Sequence, residues 1–213
     1  MSARILTSNF DKNFPIDFVN RINEIVIKRN NFAFVASDFY NHHEKTDKYF
    51  NFYLNMFISN KINFNNAYVV DGRMTKQEAQ QAISKADVVW LAGGNTPLQY
   101  KCLEEYDLIY PIQSNNGVII GMSAGAINMG KVAICSVTAE GGEKQIYKGL
   151  GVVSISVEPH YNKRGISDEL SKISHEYCIY GLCDEGAIIF VDDNIEIIGN
   201  VFLINKGEAK QIS

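Results

Sequence analysis

Along roughly the first two-thirds of the chain, short apolar runs alternate with amphipathic helical patterns. The apolar runs are mostly continuous, which is typical of strands covered on both faces. They lie at Arg4–Thr7, Phe32–Ala36, Ala67–Val70, Val88–Leu91 and Val118–Gly121. Helical spacing of apolar residues predicts helices between them, at Pro15–Arg29, Asp47–Ser59, Lys76–Ser84 and Pro97–Glu105. This order predicts an α/β fold, a doubly wound and mostly parallel sheet with helices on both faces.

The last third of the chain has a different pattern. Shorter strands are predicted at Val152–Val157, Ile179–Leu182, Ala187–Val191, Glu196–Ile198 and Val201–Ile204. Asp192-Asp193-Asn194 and Asn205-Lys206-Gly207 are typical of hairpin turns, and one helix is predicted at Asp168–Tyr177. Antiparallel C-terminal strands at the edge of the parallel sheet fit this pattern. Because no repeat or linker interrupts the chain, we expect residues 1–213 to form one domain.

Composition excludes several classes of function. The 213 residues are 46% apolar and 21% charged, with a formal net charge of −4. That charge argues against a general binder of nucleic acid or anionic membranes. No apolar run is long enough to span a bilayer, and Met1–Thr7 predicts a first strand rather than a leader. The four cysteines lack zinc or redox spacing, so we expect reduced thiols in a cytoplasmic protein.

The segment Gly121-Met122-Ser123-Ala124-Gly125 carries the clearest chemical signal. It follows the apolar run Val118–Ile120 and leads into a helical pattern, so Ser123 lies at a tight strand-to-helix turn. Small residues on both sides let the backbone turn sharply, and this geometry exposes a nucleophile. The alternative is an ordinary helix N-cap serine. We interpret Ser123 as the nucleophile of a serine hydrolase.

A second turn, Ala92-Gly93-Gly94-Asn95-Thr96-Pro97, joins a predicted strand to a predicted helix. The carboxyl ends of parallel strands share one edge of a sheet, where ligands bind. We therefore expect the N–H groups of Gly94 and Ala124 to form an oxyanion hole, with Asn95 beside the substrate. A plain turn or a phosphate-binding nest is the alternative.

His160 is the predicted general base. It follows the predicted strand Val152–Val157, and imidazole has a suitable pKa for accepting a serine proton. The other histidines, His42, His43 and His175, lie in polar stretches and are expected at the surface. His42, His43 and Asp47 form at most a weak metal-binding pattern, so no metal site is predicted.

The carboxylate that orients His160 is less defined by the sequence. Glu140, in the loop between Ser123 and His160, ranks first, because a carboxylate there can hold the imidazole tautomer. Glu158 ranks second, since on a regular strand it shares a face with His160. Glu143, Asp184 and Glu185 are further candidates, and any of these carboxylates can equally be a solvated surface charge.

These motifs, with Pro159-His160-Tyr161, resemble peptidase family S51, which includes aspartyl dipeptidases (dipeptidase E) and cyanophycinases. The resemblance covers most of the chain and implies the class I glutamine-amidotransferase-like fold. It implies that Ser123 is the nucleophile and His160 the base, and it places the family's carboxylate loop near Thr138–Glu140. Aspartyl dipeptidases have an arginine after the histidine that holds the substrate. Arg164 is the corresponding candidate, in a segment that is shortened here.

The sequence thus predicts a serine peptidase that hydrolyses short peptides through an acyl-enzyme. It requires no cofactor, has a short peptide as partner rather than nucleic acid or membrane, and is a monomer or homodimer. A non-catalytic protein that binds a small ligand on the same fold is the main alternative. An esterase of the α/β-hydrolase type is less favoured, because the chain lacks a His-Gly-Gly oxyanion motif.

Overall fold

The computed structural model describes residues 2–136, 144–162, 165–192 and 194–213. Helices α1 to α7 are Ile16–Ile25, His43–Ser59, Lys76–Lys85, Thr96–Glu105, Ile109–Gln113, Ala124–Met129 and Asp168–Ile173. Strands β1 to β7 are Ala3–Thr7, Asn31–Val35, Asn66–Val70, Val88–Leu91, Val118–Met122, Val132–Cys135 and Gln145–Lys148. Strands β8 to β13 are Ser156–Glu158, Ile179–Leu182, Ala187–Val191, Asn194–Ile198, Val201–Asn205 and Glu208–Gln211.

The main sheet has seven strands in the order β11-β10-β1-β5-β4-β2-β3. Its five strands from the first two-thirds of the chain are all parallel, and β10 and β11 add an antiparallel edge beside β1. The predicted α/β fold class is therefore confirmed. The parallel strands bring the residues after β1, β4 and β5 to one edge of the sheet.

Apolar side chains cover both faces of the main sheet, as the continuous apolar runs predicted. In β2, Phe32 and Phe34 join the cluster that includes α1 and α2. Ala33 and Val35, which alternate with them, join the opposite cluster with α3, α4 and α6. Because successive strand residues point to opposite faces, a strand buried on both sides has no polar alternation.

The C-terminal strands differ from the prediction, because they divide between two sheets. Strands β10 and β11 join the main sheet, whereas β8, β9, β12 and β13 form a separate sheet in the order β13-β12-β9-β8. Within it β8 and β9 are parallel, and Glu158 pairs with Gly181. The carboxyl ends of β8 and β9 consequently lie side by side.

Several element boundaries also differ from the sequence prediction. Strand β8 is only Ser156–Glu158, and α7 ends at Ile173 rather than Tyr177. Strands β6, β7 and β13 and helix α5 were not predicted. A hairpin joins β12 to β13 as expected, and β10 pairs with β11, although Asp193 of that turn lies outside the described residues. Among the described residues, no helix contains an apolar stretch of the length that a membrane span requires.

Candidate active site

Ser123 lies at the predicted sharp turn between β5 and α6. Its backbone has φ 50° and ψ −110°, a conformation that costs a non-glycine residue about 1–3 kcal/mol. The turn is held from both sides, because the Ser123 N–H donates to the carbonyl of Thr7 at 3.0 Å and the Ile127 N–H donates to the Ser123 carbonyl at 3.0 Å. The neighbouring Gly121 has no room for a side chain, since a Cβ there would lie 2.7 Å from the Ala126 nitrogen. The packing therefore maintains the strained turn.

The structure brings His160 to Ser123. The Oγ of Ser123 lies 2.9 Å from Nε2 of His160, within hydrogen-bond distance. His160 comes two residues after the end of β8 and also has a positive φ of 55°. Its side chain is 46% exposed, so solvent reaches the pair. The contact matches the arrangement expected of a nucleophile and its base.

Asp184 contacts the other ring nitrogen of His160. Its Oδ1 lies 2.9 Å from Nδ1 of His160. A tautomer with the proton on Nδ1 satisfies both ring contacts, since it leaves Nε2 free to accept the Ser123 proton. Asp184 follows β9 by two residues, as His160 follows β8, so the parallel pairing of these strands places the two side chains together.

The two carboxylates ranked above Asp184 have different outcomes. Glu140 lies outside the described residues, as does Glu143. Glu158 is described, and its carboxylate accepts a hydrogen bond from the Ser136 hydroxyl at 2.7 Å instead of contacting His160. The expectation that Glu158 shares a face with His160 is therefore not met. It assumed a regular strand, whereas β8 ends at Glu158 and the chain has turned before His160.

Glu158 is a buried carboxyl group with an unusual environment. It is 5% exposed, and its Oε2 atom has no hydrogen-bond partner among the described residues. Burial raises the pKa of Glu158 to about 7, because desolvation disfavours the charged carboxylate. The hydrogen bond from Ser136 opposes this rise, and the negative charge of Glu169 adds to it.

We expect this group to make the stability of the fold depend on pH. A folded pKa above the unfolded one contributes stability that is complete at low pH and is lost as pH rises through about 7. In Glu158→Gln the neutral amide removes this titration. Urea unfolding should therefore show the free energy of unfolding of the variant, relative to the wild type, increasing from pH 5 to pH 8. Parallel pH profiles for the two proteins would contradict the raised pKa.

The Gly93–Gly94 turn follows β4 beside the Ser123 turn. A Cβ on Gly93 would lie 3.4 Å from the Cβ of Ser123, so the two turns are close. In the described part of the chain, the N–H groups of Gly94 and Ala124 donate no hydrogen bond. Asn95 caps α4, because its Oδ1 accepts from the Leu98 N–H at 2.8 Å. Arg164, the other predicted substrate-binding residue, lies outside the described residues.

A buried polar network that the sequence analysis missed connects these two turns. Asn128 of α6 donates to the carbonyl of Thr96 at 3.0 Å and to Oε1 of Gln99 at 3.1 Å. Gln99 in turn donates to the carbonyl of Ala92 at 2.9 Å. All four residues are buried, so the hydrogen bonds are shielded from water. The network fixes the helix after Ser123 relative to the helix after the glycine turn.

A cavity of about 450 Å³ opens in front of Ser123 and His160. Its lining includes Phe34, Lys45, Tyr49, Tyr53, Leu98 and Met122. Two residues of the weak metal-binding pattern have other partners. His43 contacts Asp71 at 3.2 Å, and Asp47 forms an ion pair with Arg73 at 2.6 Å. Among the described residues, no group of three or more His, Cys, Asp and Glu side chains has a metal-binding arrangement.

The chain is similar to known peptidases in sequence and in structure. It is 26% identical over 201 residues to Peptidase E of Nostoc sp. (strain PCC 7120), a match that covers 84% of this chain and 76% of the relative. A crystal structure of a peptidase from an acI-B1 Actinobacterium superposes with a TM-score of 0.76 at 16% identity, covering 100% of this chain and 94% of that one. A putative peptidase E from Listeria monocytogenes EGD-e gives a TM-score of 0.66 at 20% identity, with 93% and 98% covered.

The two structural matches establish only the fold, because their sequence identities to this chain are low. The sequence profile described as Peptidase family S51 matches residues 15–198, which is most of the chain and includes Ser123, His160 and Asp184. The predicted family is confirmed, and the alternative of a non-catalytic binding protein is not supported. This chain belongs to peptidase family S51 and is a serine-type peptidase.

Proposed function

We propose that this peptidase hydrolyses short peptides with Ser123 as nucleophile, His160 as general base and Asp184 as the orienting carboxylate. The observation that supports it is the continuous path from Ser123 Oγ to His160 Nε2 and from His160 Nδ1 to Asp184 Oδ1, each step 2.9 Å. This is the arrangement of a catalytic triad in a serine hydrolase, in which the carboxylate orients the imidazole and stabilises the imidazolium. Asp184 takes the place that the sequence analysis gave first to Glu140.

In the acylation step, the Oγ of Ser123 bonds to the scissile carbonyl carbon while its proton moves to Nε2 of His160. The carbonyl electron pair moves onto oxygen, and the N–H groups of Gly94 and Ala124 donate to this oxyanion. The imidazolium then gives its proton to the leaving amine as the C–N bond breaks. Water then bonds to the acyl carbon while it gives a proton to Nε2. The C–Oγ bond breaks, the acid is released, and the imidazolium returns the proton to Oγ of Ser123.

Gly94 provides a direct test of the oxyanion role. Its φ is +141°, and a Cβ there would lie 2.7 Å from the Cβ of Ser37, so Gly94→Ala forces the turn to move. We expect kcat to fall by about 10²- to 10³-fold, the usual effect of losing one oxyanion donor. A peptide hydrolysis assay measures it.

Gly151→Ala is the matched control for this substitution. Gly151 also has a positive φ, of +65°, but a Cβ there meets nothing within 4 Å. We expect a small loss of stability and an unchanged kcat, because the strain lies away from the cavity. An equal fall of kcat in both variants would contradict the oxyanion assignment.

The cavity supports a short substrate that carries a carboxylate. Its volume of about 450 Å³ is within the range of about 300–1,000 Å³ that accommodates small ligands. Apolar and aromatic side chains are part of its lining, together with the positively charged Lys45 and the negatively charged Asp38. Within the described residues Lys45 makes no ion pair, and its Nζ lies 5.9 Å from the centroid of the Tyr49 ring. A substrate carboxylate is a suitable counterion for Lys45.

A panel of dipeptides and tripeptides, each with a free or an amidated C terminus, tests this substrate class. Release of new amino groups is measured with the purified protein. We expect hydrolysis of the short peptides and a lower KM for those with a free carboxylate. No cleavage of any member of the panel, in a preparation that is correctly folded, would contradict the proposal.

A further inference from the structure

Ser8 is a buried hydroxyl at the active site with no role in the mechanism described above. It is the first residue after β1 and is 0% exposed. β1 lies beside β5 in the main sheet, with Thr7 paired to Met122, so Ser8 is adjacent to the turn that carries Ser123. This position places it between the strand of the nucleophile and the loops of His160 and Asp184.

The hydroxyl of Ser8 makes two hydrogen bonds, and each involves a different member of the proposed catalytic triad. Its Oγ accepts from the backbone N–H of His160 at 2.7 Å and donates to Oδ1 of Asp184 at 2.8 Å. The same Oδ1 atom accepts from Nδ1 of His160 at 2.9 Å. Ser8, His160 and Asp184 therefore form a closed triangle of hydrogen bonds.

Both partners of Ser8 require support. His160 has a left-handed backbone conformation, with φ 55°, that is unfavourable for a non-glycine residue. The Asp184 side chain is 52% exposed and lies on a loop, so a single contact to His160 leaves its rotation poorly restrained. A buried hydroxyl directly after an interior strand of the main sheet is a rigid point of attachment for both groups. Misplacement of a reacting group by about 1 Å can reduce the rate about 10²-fold.

We propose that Ser8 is a positioning residue of the catalytic triad. It holds the backbone of His160 and the carboxylate of Asp184 in the positions from which His160 reaches Ser123. This role rests on the proposed function, since it requires that His160 and Asp184 act in hydrolysis. Ser8 itself neither contacts the reacting atoms nor exchanges a proton. It acts by keeping Nε2 of His160 within reach of the Ser123 hydroxyl.

The first test is Ser8→Ala, assayed on the best peptide substrate. We expect kcat to fall by about 10- to 100-fold while KM changes by less than about threefold, because the substrate cavity is not altered. Ser8→Cys is a second variant in case the alanine protein folds poorly. A thiol fills similar space and forms only weak hydrogen bonds, so the same loss of kcat is expected.

Ser174→Ala is the matched control. Ser174 is also 0% exposed, and its Oγ accepts from the Gly207 N–H at 2.8 Å and donates to the Ser171 carbonyl at 2.7 Å. Its removal therefore also breaks one hydrogen bond accepted from a backbone N–H and one donated by the hydroxyl, here to a backbone carbonyl and outside the cavity. We expect a comparable loss of thermal stability and an unchanged kcat. If Ser8→Ala lowers kcat no more than Ser174→Ala does, the positioning role is contradicted.

A double-mutant cycle with Asp184→Ala separates positioning from general destabilisation. Once Asp184 is absent, one of the two groups held by Ser8 is gone, so Ser8→Ala should reduce kcat by a clearly smaller factor than in the wild type. An equal factor in both backgrounds would overturn the inference. Ser123→Ala distinguishes failure of the proposed function from failure of the positioning role. If Ser123→Ala leaves activity intact, the proposed function fails. If it abolishes activity while Ser8→Ala leaves kcat unchanged, only the positioning role fails.

Discussion

Ser123→Ala should reduce peptide turnover by about 10³-fold or more while leaving the fold intact. The substitution removes the atom that bonds to the scissile carbonyl, and the remaining oxyanion donors and cavity supply only residual catalysis. The Ser123 hydroxyl bonds to His160, whose side chain is half-exposed, so loss of this hydroxyl should affect stability little. Steady-state kinetics on a peptide substrate, with circular dichroism and a melting curve, measures both effects.

The rate of Ser123→Ala is interpreted against Ser174→Ala, which removes a buried hydroxyl outside the cavity and should retain wild-type turnover. If Ser123→Ala cleaves peptides at the wild-type rate, the hydroxyl at the turn is not the nucleophile. An equal loss in Ser174→Ala would mean that the loss reflects damage to the fold.

Asp184→Asn should have the second-largest effect, a fall of about 10²- to 10⁴-fold in kcat. The amide nearly matches the carboxylate in shape, but it does not stabilise the imidazolium, and its NH₂ group favours the wrong tautomer of His160. Ser8 would also keep its contact to that side chain only in an altered form. Comparison of kcat with Glu140→Gln and Glu158→Gln identifies the orienting carboxylate.

We expect Glu158→Gln to retain most activity, because Glu158 contacts Ser136 and not the imidazole. Glu140→Gln should also cost less than Asp184→Asn. If Glu140→Gln instead gives the larger loss, the carboxylate loop implied by the family resemblance is the functional one, and Asp184 has a supporting role.

The sequence predicted the local features of the site well. The turn at Ser123 depends on neighbouring residues alone, namely an apolar strand, flanking glycines and a helix start, so its signal is contained in a few positions. His160 was also predicted correctly to meet Ser123, because it follows a predicted apolar strand, whereas the other histidines lie in polar stretches. The rule that parallel strands end at one edge of a sheet does not explain this contact, because β8 belongs to the four-stranded sheet and β5 to the main sheet.

The contact with Asp184 depended on a strand pairing that the sequence does not indicate. Asp184 follows the predicted strand Ile179–Leu182, which was the available signal. However, the short C-terminal strands favoured an antiparallel arrangement, whereas β8 and β9 are parallel and belong to a separate sheet. Without that pairing, Asp184 had no stronger claim than the other loop carboxylates.

Ser8 shows the same limit in a different place. It directly follows the first predicted strand. Because the carboxyl ends of parallel strands share one edge of a sheet, this position is in principle near the site. Its two partners, His160 and Asp184, lie on loops 152 and 176 positions further along the chain. Serine after a strand is common, and only the three-dimensional contacts distinguish this hydroxyl from an ordinary one.

Reaction with a serine-directed phosphonate probe, followed by peptide mass spectrometry, tests the central claim most directly. The account predicts one covalent adduct on the wild-type protein, located at Ser123, with loss of peptidase activity in step with labelling. It also predicts that His160→Gln reacts much more slowly, because the hydroxyl then lacks its base. An active wild-type protein that remains unlabelled at Ser123, or an inactivating adduct at another residue, would contradict it.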